Sequence, residues 1–207
     1  MGESGCGKST LGRMAVRLID PTSGEVFLDG EDITKLKGKA LREARKKMQI
    51  VFQDPFSSLD PHLTLGEIIA EPLRAAGVSK AEQRERVLSL MERVGLGPEF
   101  YERYPHQLSG GQRQRVGIAR ALAPNPEVIV CDEPVSALDV SIQAQILNLL
   151  RKLQRETNIS FLFISHDLAV VRYISTRICV MFLGQLCRGV PHAGRYTRPL
   201  HPYTKLL

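Results

Sequence analysis

Residues 1–10 read MGESGCGKST and place Gly2, Gly7, Lys8 and Ser9 on the spacing G-x-x-x-x-G-K-[ST]. This spacing is typical of a loop that joins the end of a buried strand to the start of a helix. The glycines let backbone amides approach phosphate oxygens, the lysine reaches the terminal phosphates, and the serine hydroxyl binds Mg²⁺. The stretch therefore predicts a nucleotide-phosphate site, against the plainer alternative of a chance glycine-rich turn.

Apolar runs of strand length alternate with helical patterns along the chain. The predicted strands, rich in branched residues, are 24–30, 48–52, 127–132, 160–165 and 177–183. The predicted helices are 8–18, 64–75, 81–94, 112–123, 140–155 and 168–174. This alternation is typical of an α/β fold with a mostly parallel sheet flanked by helices.

The stretch from about residue 54 to residue 115 interrupts the alternation, because it is helical, polar and punctuated by prolines. We interpret it as a helical subdomain inserted into a core formed by residues 1–53 and 116–207. A chain of 207 residues with 43% hydrophobic content can bury one sizeable core, so we expect one domain with this insertion.

The composition excludes several classes of protein. A net charge of +6 permits contact with nucleic acid, but the basic residues are interspersed with acids, which favours a solvated surface and no nucleic-acid partner. The four cysteines show no C-x-x-C spacing, so neither a zinc site nor a disulfide framework is indicated. No apolar run approaches the ~18 residues of a membrane span, so a partner would have to hold the protein at a membrane.

The segment VIVCDEP, residues 128–134, is an apolar strand that ends in Asp132 and Glu133. Nucleotide sites of open α/β sheets lie at the carboxyl ends of the strands. We expect Asp132 to hold Mg²⁺ and Glu133 to accept the proton of an attacking water. The plainer alternative is a solvated acidic turn.

The segment LSGGQ, residues 108–112, precedes a helical pattern and makes a second cluster of anion-binding amides. One nucleotide does not need two such clusters. At this point the chain resembles the ATP-binding subunits of ABC transporters, in which LSGGQ is the signature sequence. In that family two subunits pair head to tail, and each signature covers the ATP on its partner's phosphate loop.

Three further motifs occur in the order of this family. Gln53 in VFQDP resembles the glutamine that contacts Mg²⁺ or water and relays motion to membrane subunits. Asp139 in SALD resembles an aspartate that contacts the opposite subunit, and His166 in FISHDL resembles the histidine that senses the γ-phosphate. Taken singly, these residues also fit a surface turn, a helix cap and a polar residue at a strand end.

The resemblance implies a complete set of site residues for ATP and Mg²⁺. The catalytic residues are Glu133, His166 and Gln53, and the metal ligands are Ser9, Gln53 and Asp132. The residues expected to bind nucleotide are Gly2, Ser4, Gly5, Cys6, Gly7, Lys8, Ser9, Thr10, Ser109, Gly110, Gly111, Gln112 and Asp139.

Two segments resemble the importers of oligopeptides, dipeptides and nickel within this family: residues 53–73 and the terminal PLHPYTKLL, residues 199–207. The resemblance implies an ATP-hydrolysing subunit that powers the import of di- or oligopeptides and works as a homo- or heterodimer. Permease subunits would hold it at the cytoplasmic face of the membrane, with an extracytoplasmic peptide-binding protein as an indirect partner. The alternatives are an inactive fragment of such a subunit and an ABC ATPase without a transport role, acting on DNA or ribosomes.

The chain departs from the family pattern at two places. The family has a strand and an antiparallel region with an adenine-stacking aromatic residue before the phosphate loop, and this sequence begins at that loop. We therefore expect an incomplete copy with an empty interior strand position. Residues 184–204 are basic where the family continues with an acidic, apolar stretch, and we assign no role to residues 187–198.

Overall fold

The computed structural model describes residues 1–191, with side chains described to residue 187. The importer-like segment 199–207 and most of the basic stretch 184–204 lie outside the described residues. The helices are α1 (Lys8–Ala15), α2 (Gly38–Lys47), α3 (Leu65–Ala75), α4 (Lys80–Arg93), α5 (Gly110–Leu122), α6 (Val140–Thr157) and α7 (Leu168–Ile174). The strands are β1 (Phe27–Leu28), β2 (Glu31–Asp32), β3 (Met48–Val51), β4 (Val128–Asp132), β5 (Ser160–Ile164), β6 (Arg177–Phe182) and β7 (Gln185–Pro191).

The centre of the molecule is a parallel sheet in the order β3, β4, β5, with β4 in the middle. Its registers pair Val51 with Cys131 and Asp132 with Ile164, so the three strands end at the same edge. The central strand β4 has Ile129, Val130 and Cys131 buried, as expected for a strand covered on both faces. The α/β architecture predicted from the alternation is confirmed.

The predicted helical insertion contains α3, α4 and the start of α5, which pack on one another. Their shared core includes Leu65, Ile69 and Met91, all fully buried. The helix α5 runs through the predicted boundary between residues 115 and 116 and also contacts β3 and α6. This helix therefore connects the insertion to the central sheet.

Three parts of the sequence-based assignment were wrong. Residues 24–30 do not form one strand, because Asp29 and Gly30 adopt positive φ angles of 49° and 82° and turn the chain into the β1–β2 hairpin. The helix α2 was not predicted, since none of its residues is buried and few of them are apolar. The strand β7, which pairs antiparallel with β6, was also missed.

An apolar cleft separates β5 from β6, and we call it the edge cleft. It has a volume of about 380 Å³, and its lining includes Phe161, Phe163 and Ile178. Met1 lies at one end of it. The Met1 amino group donates to the Cys179 carbonyl at 2.7 Å, and the Met181 amide donates to the Met1 carbonyl at 2.7 Å.

In a parallel pair of strands, a residue bonds to the two residues that flank its opposite neighbour. Met1 bonds in this way to Cys179 and Met181, which flank Val180. Met1 therefore pairs with β6 in the manner of a residue in a parallel strand. Within residues 1–191, β5 pairs only with β4. The edge cleft thus lies beside Met1, between two strands that do not pair with each other.

We predict that the edge cleft accepts an added strand. A variant with Val-Leu-Val-Leu inserted directly before Met1 should bury several apolar side chains, each contributing about 1.5–3 kcal/mol. The melting temperature measured by circular dichroism should then rise by at least about 5 °C. A matched extension, Glu-Lys-Glu-Lys, provides the control, and equal melting temperatures for both extensions would contradict the prediction.

Candidate active site

The phosphate loop, residues 2–7, curls between Met1 and the first turn of α1. Gly5 and Gly7 have φ angles of 80° and 97°, a region that side chains with a Cβ rarely enter. Gly2 has a different requirement, because a Cβ at that position would overlap the Met181 carbonyl oxygen. Each of these glycines is therefore needed for the path of the loop.

Lys8, the first residue of α1, folds its side chain back into the phosphate loop. It is 7% exposed, and its Nζ donates to the carbonyl oxygens of Gly2 at 2.8 Å and Glu3 at 2.7 Å. The same Nζ lies 3.9 Å from the Oε1 atom of Glu133. A buried positive charge thus stands between the loop and the nearest acid.

The hydroxyl of Ser9 donates to the Oδ1 atom of Asp132 at 2.8 Å. Asp132 is the last residue of β4 and is 2% exposed, whereas Ser9 lies in the first turn of α1. This bond joins two residues separated by 123 positions, and it brings together the two halves of the predicted phosphate site.

Glu133 follows β4 with a φ angle of 46°, which is uncommon for a residue that is not glycine. Its amide donates to the Ile164 carbonyl at 3.0 Å, so β5 holds this backbone conformation. The carboxylate then receives two further contacts: its Oε2 atom accepts from Gln53 Nε2 at 3.2 Å and lies 3.3 Å from His166 Nδ1. Conformations of this kind cluster at functional sites.

The sheet explains why these residues meet. Gln53 follows β3, Asp132 ends β4 with Glu133 directly after it, and His166 follows β5. Because the carboxyl ends of parallel strands share one edge, the three segments converge although up to 113 residues separate them in sequence. The structure therefore brings together the residues predicted to be catalytic.

The carboxylate cleft lies at this edge and has a volume of about 610 Å³. It is lined by Gly2, Glu3, Ser4, Gln53, Glu133, Ser136, Ala137 and His166. Loop backbone forms one wall and the Glu133 carboxylate forms the other. The cleft thus combines a surface suited to an anion with a group that can accept a proton.

The residues present fit a phosphate-bound Mg²⁺ ion. The Ser9 hydroxyl and the Asp132 carboxylate are oxygen donors, the type that Mg²⁺ prefers, and they are already adjacent. Gln53 offers a further amide oxygen at the same edge. Across the described part of the chain, this site included, no group of three or more histidine, cysteine or acidic residues could hold a metal ion, so a Mg²⁺ ion here would depend on the hydroxyl, the amide and the phosphates as well.

The predicted signature residues lie away from the carboxylate cleft. Ser109 caps α5 in a capping box with Gln112: the Ser109 hydroxyl accepts from the Gln112 amide at 3.3 Å. Gly111 is buried, and a Cβ there would lie 2.5 Å from Ile142 on α6. Gly111 therefore permits close packing of α5 on α6, a role that the sequence did not reveal.

Asp139 precedes α6 and is exposed, and its side chain makes no capping hydrogen bond with that helix. Neither Asp139 nor Ser109, Gly110, Gly111 and Gln112 is among the described residues that line the carboxylate cleft. Their assignment to nucleotide binding stays a prediction. It requires a nucleotide bound at a surface other than the carboxylate cleft.

The remaining loop residues have distinct environments. Ser4 lines the carboxylate cleft, and Thr10 is exposed on α1. Cys6 is 8% exposed, with its Sγ atom 3.9 Å from Lys8 Nζ. All four cysteines are free thiols, and burial raises the pKa of the Cys131 thiol far above its usual range.

Sequence reasoning missed three residues of the carboxylate cleft: Glu3, Ser136 and Ala137. Glu3 stands at a variable position of the loop pattern, so its residue type gave no signal. Ser136 closes the turn after Glu133, with its hydroxyl donating to the Glu133 carbonyl at 3.0 Å. Ser136 and Ala137 are the first two residues of SALD, so that motif would have marked them.

Across the residues that the structure describes, no helix is long and apolar enough to cross a bilayer. A family model described as ABC transporter matches residues 1–136. The chain is 55% identical over its whole length to a probable peptide ABC transporter ATP-binding protein, y4tS of Sinorhizobium fredii, and spans 59% of that protein. It is 56% identical over its whole length to the oligopeptide transport ATP-binding protein AppF of Bacillus subtilis, and spans 64% of it.

Among solved structures, the chain is similar to the ATP-binding cassette MJ0796 in a dimeric post-hydrolysis state bound to ADP and Pi. The TM-score is 0.82 and the identity 38%, over 92% of this chain and 83% of that one. The chain thus matches a cassette fold closely and spans less than two thirds of the two peptide-transport relatives.

We predict that Ser9→Ala destabilises the protein, because it removes the hydrogen bond from the Ser9 hydroxyl to the buried carboxylate of Asp132. The expected loss is about 1–3 kcal/mol in the free energy of unfolding, measured by urea denaturation. Ser9→Thr retains a hydroxyl and should lose less. Equal stability of Ser9→Ala and the unaltered chain would contradict this contact.

Proposed function

The chain belongs to the ABC transporter family, and we propose that it is an ATP-hydrolysing subunit whose turnover powers the import of di- or oligopeptides. The observation that carries the proposal is the set of contacts around Glu133. Lys8, Gln53 and His166 all approach its carboxylate, from three different segments of the chain. No fold requirement explains why an acid should collect all three partners at the edge of a sheet.

The nucleotide phosphates would lie against the phosphate loop and the N-terminal turn of α1. The loop amides and the positive end of the helix dipole favour a bound anion there. Lys8 Nζ, which donates to two loop carbonyls, would turn to the β- and γ-phosphates. Ser9 and Asp132 would hold Mg²⁺, and Mg²⁺ bound there neutralises charge on the phosphate oxygens.

Glu133 would accept a proton from the water that attacks the γ-phosphate. Gln53 and His166 both contact its Oε2 atom, so they fix the direction in which the carboxylate points. His166 is 57% exposed and can also reach a phosphate in the carboxylate cleft. Catalysis would therefore rest on positioning and on charge neutralisation.

The signature residues Ser109 to Gln112 would act on the nucleotide of a second subunit. They begin α5 at a helix N-terminus outside the carboxylate cleft, which suits an anion brought by another chain. Asp139, exposed before α6, would contact the same partner. The similarity to a cassette solved as a dimer with ADP and Pi supports this arrangement.

The relatives support a proposal for the cargo and the membrane partners. Two relatives at 55% and 56% identity are described as peptide and oligopeptide transport proteins, which supports peptides over nickel. We infer that permease subunits hold the protein at the cytoplasmic face of the membrane and that a peptide-binding protein delivers cargo to them.

We predict that Glu133→Gln abolishes ATP turnover and leaves Mg-ATP binding intact, because the amide keeps the shape of the side chain and cannot accept a proton. The rate of phosphate release should fall by about 10²–10⁴-fold. In a strain that carries the gene, the same change should abolish uptake of radiolabelled di- or oligopeptides.

Glu92→Gln on α4 is the matched control, since Glu92 is exposed and far from the carboxylate cleft in sequence. It should leave both phosphate release and peptide uptake unchanged. Unaltered phosphate release in Glu133→Gln would rule out Glu133 as the proton acceptor. Normal peptide uptake with abolished turnover would instead overturn the transport role.

A further inference from the structure

Residues 54–60 follow Gln53 and form a turn that lies against α5. The Phe56 amide donates to the Asp54 Oδ1 atom at 2.8 Å, which fixes the turn directly after Gln53. Leu59 anchors the other end of the segment, because it is 2% exposed and belongs to the main core. A displacement of Gln53 is therefore carried to Phe56 over only three residues.

Two arginines on α5 hold this segment. The Arg113 guanidinium lies over the Phe56 ring, 3.8 Å from its centroid, and Arg120 Nη1 donates to the Ser58 carbonyl at 2.8 Å. The two arginines are seven residues apart, which is two helical turns, so they share one face of α5. One face of α5 thus contacts residues 54–60 at two positions, Phe56 and Ser58.

Arg113 also contacts the segment that leads into the signature. Its Nε atom donates to the Pro105 carbonyl at 2.6 Å, and its own amide donates to the Ser109 carbonyl at 3.0 Å. The side chain is 8% exposed, and its Nη1 atom has no hydrogen-bond partner among the described residues. The guanidinium therefore joins the Phe56 ring to the Pro105 carbonyl.

We propose that Arg113 is a positioning residue that couples Gln53 to the signature segment, residues 108–112. Its guanidinium contacts the turn after Gln53 at the Phe56 ring. It also binds the segment that leads to Ser109, at the Pro105 carbonyl. Gln53 contacts the proton acceptor Glu133, so a change at that carboxylate shifts the N-terminal turn of α5 in the same chain. The catalytic consequence of this coupling rests on the proposed function, whereas the coupling itself is a property of the nucleotide-free protein.

Phe56 gives the cleanest test, because its ring is 63% exposed and its loss removes little packing. The amides of Gln112 and Arg113 close the first turn of α5 and should exchange with deuterium faster in Phe56→Leu than in the unaltered chain. The expected factor is about two- to fivefold, the effect of one cation–π contact at an exposed position. Phe56→Tyr keeps an aromatic face and should restore the slower exchange.

A double-variant cycle separates coupling from local packing. Gln53→Ala, which breaks the contact with Glu133, should speed exchange at the same two amides when Phe56 is present and have no further effect in Phe56→Leu. Tyr173→Leu is the matched control, because it removes a second exposed cation–π pair, with Arg151, away from this segment. That variant should leave exchange at Gln112 and Arg113 unchanged.

Equal exchange rates in Phe56→Leu and the unaltered chain would overturn the proposal. So would an effect of Gln53→Ala that is the same size in both backgrounds. These readouts need no nucleotide, so they are independent of ATP turnover. Absence of turnover in the unaltered chain, with the exchange cycle intact, would count against the proposed function and leave the coupling standing.

Discussion

The hydrogen bond from the Ser9 hydroxyl to the Asp132 carboxylate connects the first helix of the chain to the central strand of its sheet. This contact fixes where the phosphate loop lies relative to the ends of the three strands. It sets α1 against the carboxyl end of β4, and the phosphate loop then lies over the edge where β3, β4 and β5 end together. Because α1 is placed in this way, the loop that binds anions faces the carboxylate that accepts protons.

Charge explains how this arrangement is tolerated in the protein. Two adjacent acids, Asp132 and Glu133, lie at a mostly buried strand end, where an unpaired carboxylate is costly. Ser9 donates to Asp132. Glu133 is surrounded by the Lys8 ammonium, the Gln53 side-chain amide and the His166 ring. The groups that stabilise these acids are also the groups a phosphate would engage, so stability and the proposed chemistry depend on the same contacts.

The sequence predicted the central sheet and the converging residues well, because buried parallel strands are continuous apolar runs and their ends carry distinctive polar residues. It failed at α2, whose residues are all at least partly exposed, and at the β1–β2 hairpin, whose turn depends on the backbone angles of Asp29 and Gly30. The role of Arg113 was also invisible, since its partners Phe56 and Pro105 are set by tertiary packing. Gly111 was marked by the LSGGQ pattern, but nothing in the sequence indicated its contact with Ile142 on α6.

The central claim is that the phosphate loop and the carboxylates of β4 form one site for Mg-ATP. The most direct measurement is the melting temperature of the 207-residue chain across a series of Mg-ATP concentrations, with Lys8→Ala as the comparison. Binding to the folded state stabilises by about 2.7 kcal/mol at a hundredfold excess over Kd, which corresponds to a rise of about 5–10 °C that Lys8→Ala should largely lose. A melting temperature indifferent to millimolar Mg-ATP, or an equal rise in Lys8→Ala, would contradict the account.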